Sequence, residues 1–260
     1  MNFIFNQYEY GSLLVKSLFN GKVFDYPKPV DLISRLLEMG SSEDCVILDF
    51  FSGSATTAHA VMKLNAEDGG TRKFIMVQLP ELTDEKSEAY KAGYKNICEI
   101  GKERIRRAGK KIKEESPLTT QALDTGFRVL KLDSSNMEDV YYTPDAFKPD
   151  VIDSLIDNIK PDRTPLDLLF QVMLDLGIEL SAKIEQKEIA GKKVFSVDDD
   201  YLLACFDTDV NETTIEKMAK LLPTHLVIRD ASATNDNVLD NFDQIIESYS
   251  NEKKINSHIL

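Results

Sequence analysis

Asp49-Phe50-Phe51-Ser52-Gly53-Ser54-Ala55-Thr56-Thr57-Ala58-His59-Ala60 decides how this chain is read. The apolar run Cys45-Val46-Ile47-Leu48 precedes it, and Ala58, Val61 and Met62 follow at helical i, i+3, i+4 spacing. The order is strand, tight turn, helix. A turn of small residues at that junction lets a ligand approach the backbone and meet the amides at a helix N-terminus, which suits a nucleotide-like ligand. Two common nucleotide loops do not fit. A phosphate-cradling P-loop needs Lys before its Ser or Thr, and this turn has none. A dinucleotide fingerprint needs glycines at G-x-G-x-x-G spacing, and this turn has only Gly53. A nicotinamide-dependent oxidoreductase is set aside on that spacing and on the lack of a hydride-handling site.

Working outward, Asp25-Tyr26-Pro27-Lys28-Pro29-Val30-Asp31 leads into Leu32, Ile33, Leu36 and Leu37, an apolar helix face with Pro29 at the first turn. Downstream, Lys73-Phe74-Ile75-Met76-Val77-Gln78-Leu79-Pro80-Glu81 reads as a second buried strand. The turn resembles the S-adenosyl-L-methionine (SAM) loop of amino-methylating DNA methyltransferases, D-P-F-x-G-S-G-T-T. Asp49, Phe51, Gly53, Ser54, Thr56 and Thr57 match it, while Phe50 stands in place of Pro and Ala55 in place of Gly. The Lys28-Pro29 segment resembles the one that helps bind the methionine end of SAM in that family. An acidic residue at the end of the second strand usually binds the ribose hydroxyls. Gln78 stands at the corresponding position and Glu81 close behind; Glu81, which brings charge, is favoured.

The run through Gly109 most resembles the modification subunit of type III restriction-modification systems, and the likeness continues weakly through Leu123–Leu132. The resemblance implies a DNA adenine methyltransferase with SAM as cofactor. Its Lys28, Pro29, Asp49, Phe51, Gly53, Ser54, Thr56, Thr57, Gln78 and Glu81 would bind that cofactor, without a metal. The methyl-transfer motif of that family, D/N/S-P-P-Y/F, is missing: no Pro-Pro dipeptide occurs, and Thr143-Pro144-Asp145-Ala146-Phe147 lacks the second Pro and the adjacent aromatic. In the arrangement this sequence resembles, that motif and the target-recognition region come before the SAM loop. The chain is therefore expected to be the C-terminal portion of a larger enzyme, with no catalytic residue of its own and no activity alone. DNA would be met only through the intact enzyme, with a second modification subunit and a restriction subunit as partners. The alternative is a non-enzymatic dimerisation or partner-docking module with a vestigial SAM loop, because a truncated sheet leaves a strand edge and apolar surface needing cover.

Composition frames this. The 260 residues allow one large domain or two small ones. A net charge of −13 argues against strong autonomous DNA binding, since backbone affinity comes from Lys and Arg. A local exception, Lys102, Arg104, Arg106, Arg107, Lys110, Lys111 and Lys113, lies late in a long helix whose apolar positions start at Tyr90. A solvated face is the reading preferred to a DNA-facing patch. Cys45, Cys98 and Cys205 sit far apart in apolar patterns and are expected as buried thiols in a reducing compartment. No signal segment or membrane span is found, and a cytoplasmic location is expected.

The expected fold is α/β: a partial Rossmann-like methyltransferase sheet over residues 1–115, then a smaller α/β domain over 116–260. Gly126–Leu132 reads as a strand of one domain or the other. Ile152, Leu155, Ile156 and Ile159 suggest a helix, as do Leu168, Leu169, Val172, Met173 and Leu176, ended at Gly177. Lys193–Val197 and Tyr201–Phe206 read as a hairpin, whose turn Asp198-Asp199-Asp200 is polar rather than metal-binding. Asn211 is placed to cap a helix, and His225–Arg229 and Val238–Tyr249 suggest a strand and a last helix. His59 is expected half-exposed on its helix rather than as a catalytic base, and His225 and His258 show no partner. Tyr141 and Tyr142 could stack on a base, but a half-buried strand or turn is their default.

Overall fold

The computed structural model describes residues 7–138, 159–230, 236–250 and 254–260. The chain is α/β and divides into two compact units, Met1–Arg128 and Val129–Leu260. The expectations placed on Tyr141, Tyr142, Thr143–Phe147, Ile152, Leu155 and Ile156 lie outside the described residues.

The first unit runs α1 (Gln7–Phe19), α2 (Val30–Gly40), β1 (Val46–Asp49), α3 (Thr56–Asp68), β2 (Lys73–Met76), α4 (Glu88–Lys91) and α5 (Ile97–Glu115). β1 and β2 pair in parallel from Val46↔Lys73 to Asp49↔Met76, with α3 as the crossover that a parallel pair requires. Ala55, Ala58 and Met62 pack with Ile105, Ala108 and Ile112 of α5, and Phe74 and Met76 close that cluster from the strand side. α1 buries Val15 and Phe19 beside Ile100. An ion pair of 2.7 Å between Lys63 and Asp31 joins α3 to α2. The helices cover one face of the strand pair. On the other face Val46, Leu48, Ile75 and Val77 are about half exposed, where buried parallel sheets keep such residues dry.

Two expectations for this unit need correction. The long helix does not begin at Tyr90: Tyr90 lies in the short α4, which ends at Lys91 before a tight turn with Gly93 at φ +95°, and Asn96 starts α5 afresh by accepting the Glu99 amide. Gly126–Leu132 forms no strand. Leu123 and Phe127 lie on the α3–α5 cluster instead, and Arg106 sits over the Phe127 ring at 5.5 Å. Thr125 comes so close to α5 that a Cβ on Gly109 would stand 2.8 Å from its own Cβ.

The second unit contains α6 (Pro165–Asp175), β3 (Ile184–Ile189), β4 (Lys192–Val197), β5 (Leu202–Cys205), α7 (Glu212–Ala219), β6 (His225–Ile228), α8 (Asp236–Tyr249) and β7 (Asn256–Ile259). Its five-stranded sheet has the order β3-β4-β5-β6-β7, antiparallel up to β5 and parallel beyond it. Strand alternation splits the core into two layers. Val194, Leu203, Cys205, Leu226 and Ile228 meet Ile215, Met218, Phe242 and Ile246 of α7 and α8. Phe195, Val197, Leu202, Ala204 and Val227 meet Leu169 and Met173 of α6. Thr164 and Asp167 form a capping box with Pro165 in the first turn of α6, and Asn211, the cap expected from sequence, accepts the Thr214 amide. The hairpin turn Asp198-Asp199-Asp200 is left-handed throughout, at φ 52°, 49° and 70°. Its Asp200 carboxylate accepts from Lys187 and Ser196. His225 and His258, read as lacking partners, contact each other at 2.9 Å between Nδ1 and Nε2.

Candidate ligand-binding loop

Asp49, the last residue of β1, carries its carboxylate into the turn that follows. One oxygen accepts the Phe51 amide at 3.2 Å and the other the Thr57 hydroxyl at 2.5 Å, so the strand end is fastened to the first turn of α3. Gly53 and Ala55 take left-handed conformations, φ 51° and 58°. Glycine does this without penalty, whereas the Ala55 methyl group makes it cost about 1 kcal/mol. α5 accommodates that methyl group at Gly101, where an added Cβ would lie 3.6 Å from Ala55 Cβ and from the Gly53 carbonyl oxygen.

Ala55 is also the N-cap of α3, and no side chain caps this helix. No acidic residue occupies its first turn. The first amides of the helix therefore face the turn without a side-chain acceptor, at the positive end of the helix dipole.

Gln78 holds the loop from the segment just beyond β2. Its Oε1 accepts the Gly53 amide at 2.7 Å and its Nε2 donates to the Leu79 carbonyl at 3.2 Å. The Gln78 carbonyl accepts from the Cys98 thiol at 3.3 Å. Glu81 is exposed, and its backbone carbonyl accepts the Ile97 amide at 2.9 Å, which anchors the start of α5. Lys28 is exposed and Pro29 buried at the start of α2, in an extended conformation of φ −63° and ψ 134°. The same segment reaches the loop through Phe24, whose ring edge lies 3.5 Å from where a Gly53 Cβ would stand. Tyr26, Phe50, Phe51 and Leu79 remain largely exposed.

Sequence reading missed the residue underneath. Arg104, grouped there with a solvated basic face, is fully buried. Its Nη1 donates to Ser54 Oγ and Thr56 Oγ1, both at 2.7 Å. Its Nε and Nη2 have no partner, and burial draws its pKa down to about 10. Spacing offered a signal: Arg104 stands four residues from both Ile100 and Ala108, on the apolar stripe of α5. Of the other cations, Lys102, Arg106, Lys110 and Lys111 pair with glutamates on the same helix, whereas Arg107 turns to α1, donating to the Leu18 carbonyl at 2.8 Å and lying over the Phe19 ring. The solvated-face reading thus suits Lys102, Arg106, Lys110 and Lys111 but not Arg104 or Arg107.

His59 is also corrected, being buried rather than half-exposed. Desolvation, then the Arg104 charge, brings its pKa to about 3, and its Nδ1 has no partner. Of the three cysteines only Cys205 is fully buried, while Cys45 and Cys98 are half-buried; all are free thiols. Among the described residues no group of His, Cys, Asp and Glu could hold a metal ion, and no helix is long and apolar enough to cross a membrane.

The loop brings together uncapped helix amides, the Asp49 carboxylate and the exposed rings of Tyr26, Phe50 and Phe51. Residues 4–110 match the N6_N4_Mtase family, described as DNA methylase. The chain is 45% identical over 118 residues to the type III restriction-modification enzyme StyLTI Mod subunit of Salmonella typhimurium, a match covering 45% of this chain and 18% of the relative. It is 28% identical over 241 residues to the EcoP15I Mod subunit of Escherichia coli, covering 89% of this chain and 35% of the relative. A type II methyltransferase of Klebsiella pneumoniae, M.KpnI, is 41% identical over 86 residues, 33% of this chain and 21% of the relative. The chain is thus similar to the modification subunits of type III restriction-modification systems. It spans between 18% and 35% of the length of the Mod subunits it matches.

Proposed function

We propose that this chain binds SAM in the Asp49–Thr57 loop and forms the SAM-binding C-terminal part of a type III DNA adenine methyltransferase. The observation that carries the reading is the uncapped N-terminus of α3, turned toward the loop by left-handed Gly53 and Ala55. The partial sheet would be the cofactor half of a Rossmann-like methyltransferase fold. SAM supplies an activated methyl group on a sulfonium centre. The amides of α3 with Ser54, Thr56 and Thr57 would hold the amino-acid end of SAM, with Lys28 and Pro29 beside it. Asp49 would orient its ammonium group, Phe51 would offer a stacking face, and Glu81, more exposed than Gln78, would accept from the ribose hydroxyls.

Positioning the adenine amine in line with the methyl group is work for the D/N/S-P-P-Y/F motif, which these residues lack. We therefore expect no methylation of DNA by the chain alone. DNA contact, pairing with a second modification subunit and docking of a restriction subunit in the cytoplasm belong to the intact enzyme. Isothermal titration calorimetry with SAM tests the reading. Saturable binding that is lost in Asp49→Ala supports it, and absence of binding in a well-folded sample sinks it. Labelled methyl groups appearing on DNA would overturn the expected inactivity.

A second reading, a dimerisation or partner-docking module with a vestigial loop, is favoured by one observation. The uncovered face of β1 and β2 carries Val46, Leu48, Ile75 and Val77. Such a face invites cover. A strictly monomeric profile by light scattering across micromolar concentrations would count against it.

A further inference from the structure

Arg104 has no exposed surface, yet it finds little inside the fold to satisfy its charge. Only Nη1 has partners, namely the hydroxyls of Ser54 and Thr56 and, at 3.4 Å, the Ser54 carbonyl. Nε and Nη2 are buried without any. Among the described residues no carboxylate forms an ion pair with it. Burying a guanidinium on these terms opposes folding, because desolvation is not repaid by a counter-charge.

A second feature of the same sign meets it. The N-terminus of α3 has neither a side-chain cap nor an acidic residue in its first turn. The carboxylate in the loop, Asp49, is turned to the Phe51 amide and the Thr57 hydroxyl. A guanidinium can only donate, so the Ser54 and Thr56 oxygens act toward Arg104 as acceptors, and their own protons are left to donate elsewhere. Loop hydroxyls, helix amides and the buried charge thus all call for a negative group that the described residues do not supply.

We propose that Arg104 is a positioning residue of the ligand loop. It fixes Ser54 and Thr56 as donors and makes the N-terminus of α3 select the carboxylate of the bound ligand. This rests on the reading of the loop as a SAM site. It adds that affinity depends on the carboxylate through a residue that need not touch it.

The test is calorimetric titration of the full chain, wild type and R104M, with SAM and with decarboxylated SAM. Wild type should prefer SAM, and R104M should lose about tenfold of that preference while affinity for the decarboxylated ligand changes little. A purely structural Arg104 would weaken both ligands equally, and that result, or no change at all, overturns the proposal. Should R104M fail to melt cooperatively, R104K decides the matter. Keeping the cation should retain the preference for SAM, and equal weakening toward both ligands again overturns it. A wild-type chain that binds neither ligand removes the SAM reading itself, and the role of Arg104 falls with it.

Discussion

Gln78 Oε1 accepts the backbone amide of Gly53 at 2.7 Å, tying the segment that follows β2 to the middle of the Asp49–Thr57 loop. This contact spans 25 residues and gives Gln78 a structural task besides any direct ligand contact. An acidic residue could take the same amide but would set a charge beside the loop. Gln78→Ala should cost about 0.5–1.5 kcal/mol of stability, the net worth of one hydrogen bond. It should also weaken SAM binding by loosening Gly53, whereas Gln78→Glu should keep most of the stability. Chemical denaturation and calorimetry on the two variants check this. Equal stability of Gln78→Ala and wild type would show that the bond holds nothing.

Gly11 allows α1 to approach the Lys28-Pro29 segment. A Cβ there would stand 2.5 Å from the Pro27 carbonyl oxygen and 3.2 Å from Pro29 N, both backbone atoms that cannot swing aside. Gly11→Ala should therefore lower stability by about 1–3 kcal/mol despite the better helix propensity of Ala. Because the displaced segment carries Lys28, SAM affinity should fall too. Thermal melting beside calorimetry reads both, and a stabilised variant would refute the close approach.

How much of this was legible in the sequence follows from which residues announce themselves. The Asp49–Thr57 turn did, since small residues between an apolar strand and a helical stripe have few other uses. Arg104 did not, because a cation in a run of cations reads as solvated and only its i, i+4 relation to Ile100 and Ala108 says otherwise. β3 was missed because Glu185, Lys187 and Glu188 look like loop, yet charge is what an edge strand carries. β7 is polar over Asn256-Ser257-His258 and becomes a strand by pairing with β6. Gly126–Leu132 failed in the opposite sense. Its apolar residues suggest a strand, but Phe127 is held by Arg106 and the α5 cluster, and strand propensity without a partner makes no ladder.

His59 should make the first unit acid-sensitive. Burial and the Arg104 charge hold its folded pKa at about 3, against 6.5 for the free side chain. Between those values the unfolded chain binds a proton that the folded chain refuses. Stability from this site is thus complete above pH 6.5 and declines as pH falls, with a limiting slope of about 1.4 kcal/mol per pH unit. His59→Leu removes the titration together with the partnerless Nδ1, so it should be near neutral at pH 7 and flatten the acid limb. Urea midpoints between pH 7 and 4 test this, and an unchanged slope in the variant would place the acid lability elsewhere.

The His225–His258 contact should do the same to the edge of the second sheet. At 2.9 Å one ring must donate and the other accept, which requires a neutral imidazole. Desolvation and then the neighbouring His258 push the His225 pKa below its ordinary value, so folding favours its neutral form. The stabilisation is present above the ordinary histidine pKa of 6.5 and is lost as pH falls, since protonation places a charge on a His225 ring that burial keeps neutral. β7 hangs on β6 as the edge strand of the five-stranded sheet, so it should loosen before β4 and β5. Hydrogen exchange followed by mass spectrometry, corrected for the intrinsic pH dependence of exchange, should show protection of Asn256–Ile259 falling from pH 7 to 5 while Leu202–Cys205 keeps its own. His258→Asn should abolish that difference in pH response. A β7 whose protection stays constant over this range would mean that the two rings do not govern its docking.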